Sequence, residues 1–137
     1  MKDKLIQAAL EARSMAYAPY SHFQVGAALL ASDGTVYTGC NIENAAYGPS
    51  NCAERTAFFK EIYEGEREFE RIAVVGGAEG TDAEDICAPC GVCRQVMMEF
   101  CNPDSFRIIL ANGGKEPLEF TLKELFPYGF GPDNLDK

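Results

Sequence analysis

The 137-residue sequence has no tryptophan, a single histidine and few basic residues, with 12 lysines and arginines against 21 aspartates and glutamates. The formal net charge of -9 argues against a nucleic-acid partner, because polynucleotide affinity depends largely on basic side chains that neutralise phosphates. The charge balance favours a small, uncharged substrate instead. His22, the only histidine, lies far in sequence from the clustered cysteines, so we interpret it as a structural or substrate-proximal residue.

Long apolar runs and an export signal are also missing. The longest apolar stretches, such as Val25 to Ala31, are strand-sized, whereas a membrane helix needs about 20 residues. The N-terminal residues lead directly into an amphipathic pattern, without the apolar core and cleavage site of a signal peptide. We therefore expect a cytoplasmic protein with no membrane partner. In a reducing compartment, the six cysteines indicate metal binding or catalysis rather than a disulfide framework.

Hydrophobic spacing and turn residues predict alternating helices and strands along one domain, residues 1–137. The predicted helices cover residues 2–17, 52–64, 89–101 and 121–126, and the predicted strands cover 23–31, 35–40, 71–76, 106–110 and 118–120. Ser32-Asp33-Gly34 is a tight-turn sequence between the first two strands, which predicts an antiparallel hairpin. Ser50 or Asn51 is expected to cap the second helix. The acidic segment 77–88 is predicted to be a loop.

These elements indicate an α/β fold with three layers, α-β-α, in which a central mixed sheet of about five strands is flanked by helices. The opening hairpin makes the sheet mixed rather than purely parallel. The segments that begin at Cys52 and at Cys90 both follow strands and both start helices, so they should lie at neighbouring ends of the sheet. Substrate sites commonly form at such an edge.

Two cysteine motifs carry the most chemical information, namely Cys52-Ala53-Glu54 and Pro89-Cys90-Gly91-Val92-Cys93. The spacing of Cys90 and Cys93 lets two sulfurs reach one tetrahedral zinc ion, and Cys52 can supply a third. Three protein ligands leave one position open. An open position is typical of a catalytic zinc, because water bound there has its pKa lowered to about 7. We predict one Zn2+ per chain.

One carboxylate and two arginines complete the predicted centre. Glu54 lies too close to Cys52 in sequence for both to coordinate comfortably, but it can overhang the open position as general acid and base. Three thiolates around a dication give a net negative site. Arg55 and Arg94 are expected to offset this charge by hydrogen bonding to sulfur, and Arg55 is expected to matter more.

A closed, structural zinc site is the alternative interpretation of the same cysteines. Cys87 precedes Cys90 by three residues and could act as a fourth ligand. That arrangement leaves Glu54 without a role. Cys40 and Cys101 are interpreted as ordinary buried residues, since free cysteine behaves as a small hydrophobic side chain.

The combination of C-x-E with P-C-x-x-C is the signature of zinc-dependent deaminases. The chain resembles the small homotetrameric cytidine deaminases over nearly its whole length. Four segments carry the resemblance: Ala18 to Ala28, Gly39 to Gly48, Asn51 to Arg55 and Pro89 to Gln95. The sequence Asn-Ile-Glu-Asn at 41–44 narrows the resemblance to enzymes that act on nucleosides.

The resemblance implies the cytidine deaminase fold and a hydrolytic deamination in pyrimidine salvage. Cytidine, and with it 2'-deoxycytidine, would be converted to uridine or 2'-deoxyuridine and ammonia. Zinc-activated hydroxide would attack C4 of the pyrimidine, while Glu54 moves protons from the water to N3 and to the departing amine. Binding the tetrahedral intermediate better than the substrate would supply the rate acceleration.

The same resemblance implies a set of substrate contacts. Asn41 and Glu43 would hold ribose hydroxyls, since an amide and a carboxylate can together donate to and accept from a sugar hydroxyl. Phe23 would pack against the base, and the backbone of Ala53 would help to read the pyrimidine edge. Phe130, one of three aromatic residues near the C-terminus, would reach into the site of a neighbouring subunit in a homotetramer with shared active sites.

Three other functions remain open on the sequence. One is a related deaminase that acts on another aminopyrimidine or on a nucleoside antibiotic. Another is a non-catalytic protein whose zinc ion only stabilises the fold. The third is a polynucleotide deaminase, which the acidic charge balance disfavours.

Overall fold

Five strands form one mixed sheet in the computed structural model, which describes residues 2–83 and 85–135. The strands are β1 (Phe23–Ala31), β2 (Val36–Cys40), β3 (Phe69–Ala78), β4 (Arg107–Asn112) and β5 (Lys115–Thr121), in the spatial order β2-β1-β3-β4-β5. β3 and β4 pair in parallel, whereas every other neighbouring pair is antiparallel. The predicted mixed sheet and its opening hairpin are confirmed. Met1, Glu84, Asp136 and Lys137, which belong to the predicted domain or its acidic loop, lie outside the described residues.

Helices cover both faces of the sheet, which gives the three layers predicted. They are α1 (Lys2–Arg13), α2 (Ala53–Tyr63), α3 (Gly91–Phe100), α4 (Leu122–Leu125) and α5 (Pro132–Leu135). Successive residues of β1 point to opposite faces. Ala28 and Leu30 pack in a core with residues of α1. Leu29, on the other face, belongs to the core that contains Phe58 of α2 and Met97 of α3. None of the described helices has the length and apolar character needed to span a bilayer.

The first helix ends at Arg13 and not at residue 17 as the periodicity predicted. The backbone of Tyr17 leaves the helix because it pairs with an extended segment. Its N–H donates to the carbonyl of Asn41 at 2.9 Å, and its carbonyl accepts from the N–H of Glu43, also at 2.9 Å. Tertiary pairing with the segment after β2 therefore competes successfully with the last helical turn.

The prediction that Ser50 or Asn51 caps the second helix is wrong. Cys52 occupies the N-cap position of α2, with an extended backbone at φ -78° and ψ 157° and no side-chain capping bond. Asn51 pairs its backbone with Ile42 and donates its side-chain amide to the hydroxyl of Thr56 at 3.1 Å. The chain stays extended through Asn51, so the helix begins later.

The remaining boundaries differ by a few residues. β3 extends beyond the predicted 71–76 because it pairs with β1 along nearly the whole length of that strand. β5 begins at Lys115 and so includes Pro117, which an edge strand tolerates. The short α5 was not predicted from the sequence. The Asn112-Gly113-Gly114 region forms the turn between β4 and β5, with both glycines at positive φ.

Glu61 is a carboxyl group buried in α2 without a partner. It has 0% exposure, and neither of its oxygens accepts a hydrogen bond. Burial, together with the charges of Glu66 and Asp33, raises the pKa of Glu61 from 4.5 to about 8. Between these pH values the unfolded chain loses this proton while the folded protein keeps it. The contribution of Glu61 to stability therefore falls as the pH rises from 4.5 to about 8.

Replacing Glu61 with glutamine should reduce this pH dependence, because glutamine has a similar shape and does not ionise. Thermal unfolding at pH 5 and at pH 8 would measure the effect. We expect the Tm of Glu61→Gln, relative to the wild type, to be higher at pH 8 than at pH 5. A difference in Tm that is the same at both pH values would contradict a neutral buried carboxyl.

Candidate active site

Three thiols converge where α2 and α3 begin. Cys52 is the N-cap of α2, Cys90 is the N-cap of α3, and Cys93 lies in the first turn of α3. The Cys52 and Cys90 sulfurs are 3.6 Å apart, as are the Cys90 and Cys93 sulfurs, and all three lie within 4.8 Å of one another. The predicted juxtaposition of the two cysteine motifs is therefore present in the structure.

The electrostatics of this cluster favour a thiolate at Cys52. The neighbouring Cys93 thiol is the main cause that lowers the pKa of the Cys52 thiol to about 5, and Arg55 adds to the effect by donating from Nη2 to Cys52 Sγ at 3.3 Å. The proximity of Cys52, together with burial, raises the pKa of Cys93. Exposed amides at the first turns of α2 and α3 favour negative charge at this point as well.

The donor set fits a zinc ion. Thiolates are preferred zinc ligands, and three of them in a tight group leave one tetrahedral position for another ligand. Cys87 does not belong to this group of sulfurs, and neither does the carboxylate of Glu54. The closed four-cysteine site considered from the sequence is therefore not formed. Cys52, Cys90 and Cys93 are the residues that would hold the metal.

Glu54 lies in the first turn of α2, two residues after Cys52, and is 4% exposed. Burial raises the pKa of its carboxyl to about 7, and the charge of Cys52 acts in the same direction. A carboxyl group with such a pKa can be present in either protonation state near neutral pH. Glu54 is thus suited to accept a proton and to return it.

A cavity of about 700 Å3 is lined by Cys52, Cys90 and Glu54. It is lined by most of the predicted site residues, namely Phe23, Asn41, Glu43, Cys52, Ala53, Glu54, Arg55 and Cys90. Its volume is within the range typical of small-molecule pockets, roughly 300 to 1,000 Å3. One cavity therefore joins the candidate metal centre to the predicted substrate contacts.

The polar side chain of Asn41 is fixed against the start of β1. Its Oδ1 accepts from the N–H of Val25 at 2.9 Å, and its Nδ2 donates to the carbonyl of Phe23 at 2.8 Å. Both functional groups of the amide are thus engaged, and each keeps capacity for one further hydrogen bond. These bonds hold Asn41 and Phe23 in a defined relation on the cavity wall.

Glu43 lies half-buried beside this wall and accepts three hydrogen bonds. Its Oε1 accepts from the backbone N–H groups of Tyr20 and Ser21, each at 3.1 Å, and its Oε2 accepts from the Ser21 hydroxyl. The bond from the Ser21 hydroxyl is the main cause that lowers the pKa of Glu43. Glu43 therefore stays ionised at neutral pH.

Two predicted site residues, Arg94 and Phe130, are not among the residues that line the cavity. Arg94 donates to the carbonyls of Pro89 and Leu125, both at 2.8 Å, so Arg55 and not Arg94 is brought onto a sulfur. Phe130 is 55% exposed, and its carbonyl accepts from Gln95 at 2.8 Å. The role in a neighbouring subunit stays a prediction for Phe130.

The other cysteines and the histidine take no part in the thiol cluster. Cys101 is buried, whereas Cys40 is only half-buried. Cys87 lines the cavity and packs directly on Gly76, where an added Cβ would lie 2.6 Å from its sulfur. His22 contacts Glu79, with Nδ1 at 3.3 Å from Oε2. None of the six cysteines forms a disulfide.

Ser21 and Tyr47 are among the cavity-wall residues to which the sequence interpretation assigned no role. Ser21 binds Glu43, and Tyr47 lines the cavity beside it with a positive φ of 60°. Ser21 is only two residues before Phe23, and Tyr47 lies in the polar loop after Glu43, so proximity to predicted site residues was the available signal.

Comparisons with known proteins agree with this geometry. Residues 1–107 match the family model described as "Cytidine and deoxycytidylate deaminase zinc-binding region". The chain belongs to this deaminase family. It is 51% identical to a cytidine deaminase of Sporosarcina psychrophila over 97% of this chain and 93% of the relative, and 48% identical to one of Halalkalibacterium halodurans over 98% of each chain.

Solved structures of cytidine deaminases have the same fold as this chain. The crystal structure of a cytidine deaminase from Burkholderia pseudomallei superposes with a TM-score of 0.85 at 48% identity, over 95% of this chain and 99% of that one. A cytidine deaminase from Mycobacterium tuberculosis superposes with a TM-score of 0.79 at 36% identity, over 94% and 96% of the two chains. The predicted fold and family are confirmed.

Proposed function

We propose that this protein is a zinc-dependent hydrolase that converts cytidine to uridine and ammonia. The observation that carries the proposal is a three-thiol centre of which Cys52 and Cys90 line the same cavity as the buried Glu54. Relatives that match nearly the whole chain are named cytidine deaminases, which supports the same reaction.

Different residues bind the metal, transfer protons and offset charge in the proposed reaction. Zinc, when bound by Cys52, Cys90 and Cys93, would supply a polarised water that ionises near neutral pH. Glu54 would accept one proton from this water and deliver it to N3 of the pyrimidine; it would then accept the proton of the new hydroxyl at C4 and pass it to the amine, which leaves as ammonia while the C4 carbonyl of uridine forms. Arg55 offsets part of the thiolate charge through its bond to Cys52. The high pKa of Glu54 suits it to both directions of proton transfer.

Substrate binding would use other residues that line the same cavity. Phe23 offers an aromatic surface for the base, and Ala53 lines the same cavity, where its backbone would read the pyrimidine edge. Asn41 and Glu43 would hold ribose hydroxyls, because each retains unused hydrogen-bonding capacity. The cavity thus presents an apolar surface for the base and polar groups for the sugar.

We extend the proposal to 2'-deoxycytidine as a second substrate and to pyrimidine salvage in the cytoplasm. None of the six cysteines is paired in a disulfide, and a chain rich in unpaired cysteines is typical of a reducing compartment. We also propose a homotetramer with shared active sites. The large exposure of Phe130 supports this assembly, because an aromatic ring left in water by one chain is available to a neighbouring subunit.

Glu43 provides the test of substrate class. Replacing Glu43 with alanine should lower kcat/KM for cytidine about 100-fold, because a buried sugar hydroxyl would lose its charged acceptor. Steady-state assays that follow uridine formation measure the effect. Glu70→Ala removes an exposed carboxylate of β3 outside the cavity and serves as the control, with unchanged kcat/KM. A wild-type-like Glu43→Ala variant would instead favour a related deaminase with another substrate.

A further inference from the structure

The Glu43 carboxylate is held by a short turn of the chain. Two backbone N–H groups, from Tyr20 and Ser21, and the Ser21 hydroxyl all donate to it. We propose that Ser21 is a positioning residue for the sugar of the substrate, acting through Glu43. This inference rests on the proposed function, in which Glu43 binds a ribose hydroxyl, and it assigns to Ser21 the orientation of that carboxylate.

The direction of the Ser21 hydroxyl proton follows from its neighbours. The N–H of Phe23 donates to Ser21 Oγ at 3.1 Å and occupies one of its lone pairs. The hydroxyl has two acceptors within reach, the Phe23 carbonyl at 3.5 Å and Oε2 of Glu43, and the proton points at Oε2 because that oxygen is closer and charged. The Ser21 side chain therefore links Phe23, the proposed contact of the base, to Glu43, the proposed contact of the sugar.

The three donors also limit what Glu43 can still accept. An ionised carboxylate offers about four lone-pair positions, and three are used by Tyr20 and Ser21. One position remains for a hydrogen bond from the substrate. Because an ionised carboxylate only accepts, the group it can bind there is a donor, such as a single sugar hydroxyl. Removing the Ser21 hydroxyl would leave Oε2 of Glu43 without its donor, so the carboxylate would be held through Oε1 alone and would cost more to order on binding.

The turn that carries Ser21 is itself fixed. His22 adopts a left-handed backbone with φ 56°, which is uncommon for a residue other than glycine. Its N–H donates to the carbonyl of Ala18 at 3.0 Å, and its carbonyl accepts from the N–H of Glu79 at 2.7 Å. Strained backbone of this kind persists where the surroundings determine it. The neighbouring N–H groups of Tyr20 and Ser21 are thereby kept beside Glu43.

The test compares Ser21→Ala and Ser21→Thr with the wild type. Loss of one hydrogen bond to a charged group should raise KM for cytidine about 10-fold, while kcat changes less than about twofold, since uniform substrate binding is what is lost. Threonine retains the hydroxyl and should restore most of the affinity. The Kd of uridine, measured by titration calorimetry, should rise by the same factor in Ser21→Ala and gives a readout independent of turnover.

A double-variant comparison separates positioning from a structural role. In a Glu43→Ala background, Ser21→Ala should weaken uridine binding by less than about twofold further, because the residue through which Ser21 acts is gone. An equal 10-fold loss in both backgrounds would overturn the proposal, as would an unchanged Kd in Ser21→Ala. Wild-type protein that binds uridine but releases no ammonia from cytidine would refute the proposed function alone. Failure of the wild type to bind any nucleoside would refute both.

Discussion

Replacing Glu54 with glutamine is expected to lower kcat for cytidine by about 10²- to 10⁴-fold, the range over which a positioned acid–base group contributes to catalysis. Glutamine preserves the size of the side chain but cannot accept and return a proton. Glu54 is 4% exposed and its pKa is raised to about 7, so near neutral pH the carboxyl can both accept and release a proton. Steady-state kinetics with zinc content measured on the same sample would give the value.

Two further observations make the Glu54 result specific. Glu54→Gln should keep its zinc, because the three sulfurs form the ligand group without Glu54. Glu61→Gln is the matched control, since it makes the same chemical change in a buried carboxyl of the same helix that does not line the cavity. The control should retain wild-type kcat. Zinc loss in Glu54→Gln, or near-normal turnover, would contradict a proton-transfer role.

Replacing Cys93 with alanine is expected to abolish both zinc binding and activity. Cys93 is 1% exposed and lies in the first turn of α3, where it completes the group formed by Cys52 and Cys90. Two remaining thiols leave the metal with too few protein ligands for a stable tetrahedral site. Because metal binding contributes to folding free energy, Tm should fall as well. Metal analysis after dialysis and thermal unfolding measure the two effects.

Cys101→Ala provides the comparison for Cys93→Ala. Cys101 is also a buried cysteine and follows the last residue of the same helix, α3, but it lies outside the sulfur cluster. This variant should bind zinc in the same stoichiometry as the wild type. Full zinc content in Cys93→Ala would mean that the metal is held by other residues, and the site described above would be wrong.

The parts of the fold that follow from local sequence were predicted well. Asp33 and Gly34 mark the turn between β1 and β2, and Gly34 has the positive φ that such a turn uses. Elements whose ends depend on tertiary pairing were placed less accurately. The end of α1 shifts to Arg13 because Tyr17 pairs with the segment around Ile42, which no local pattern reveals.

In the candidate site, too, some residues could be predicted from local sequence spacing and others could not. The thiols and Glu54 could be found because their spacing on two helix starts is dictated by metal coordination. The contact of Ser21 with Glu43 joins residues 22 apart in sequence through a folded turn and could not be found by spacing. Arg94, adjacent to Cys93 in sequence, faces the carbonyls of Pro89 and Leu125, because neighbouring residues of a helix point in different directions.

Ammonia release from cytidine by the purified protein, with zinc quantified in the same sample, tests the central claim most directly. We predict that each cytidine consumed yields one uridine and one ammonia. The protein should contain about one zinc ion per chain, and the rate should rise in proportion to the zinc content of the sample. Zinc-loaded protein that leaves cytidine unchanged would contradict the proposed reaction. Turnover that persists after complete zinc removal would contradict the proposed site.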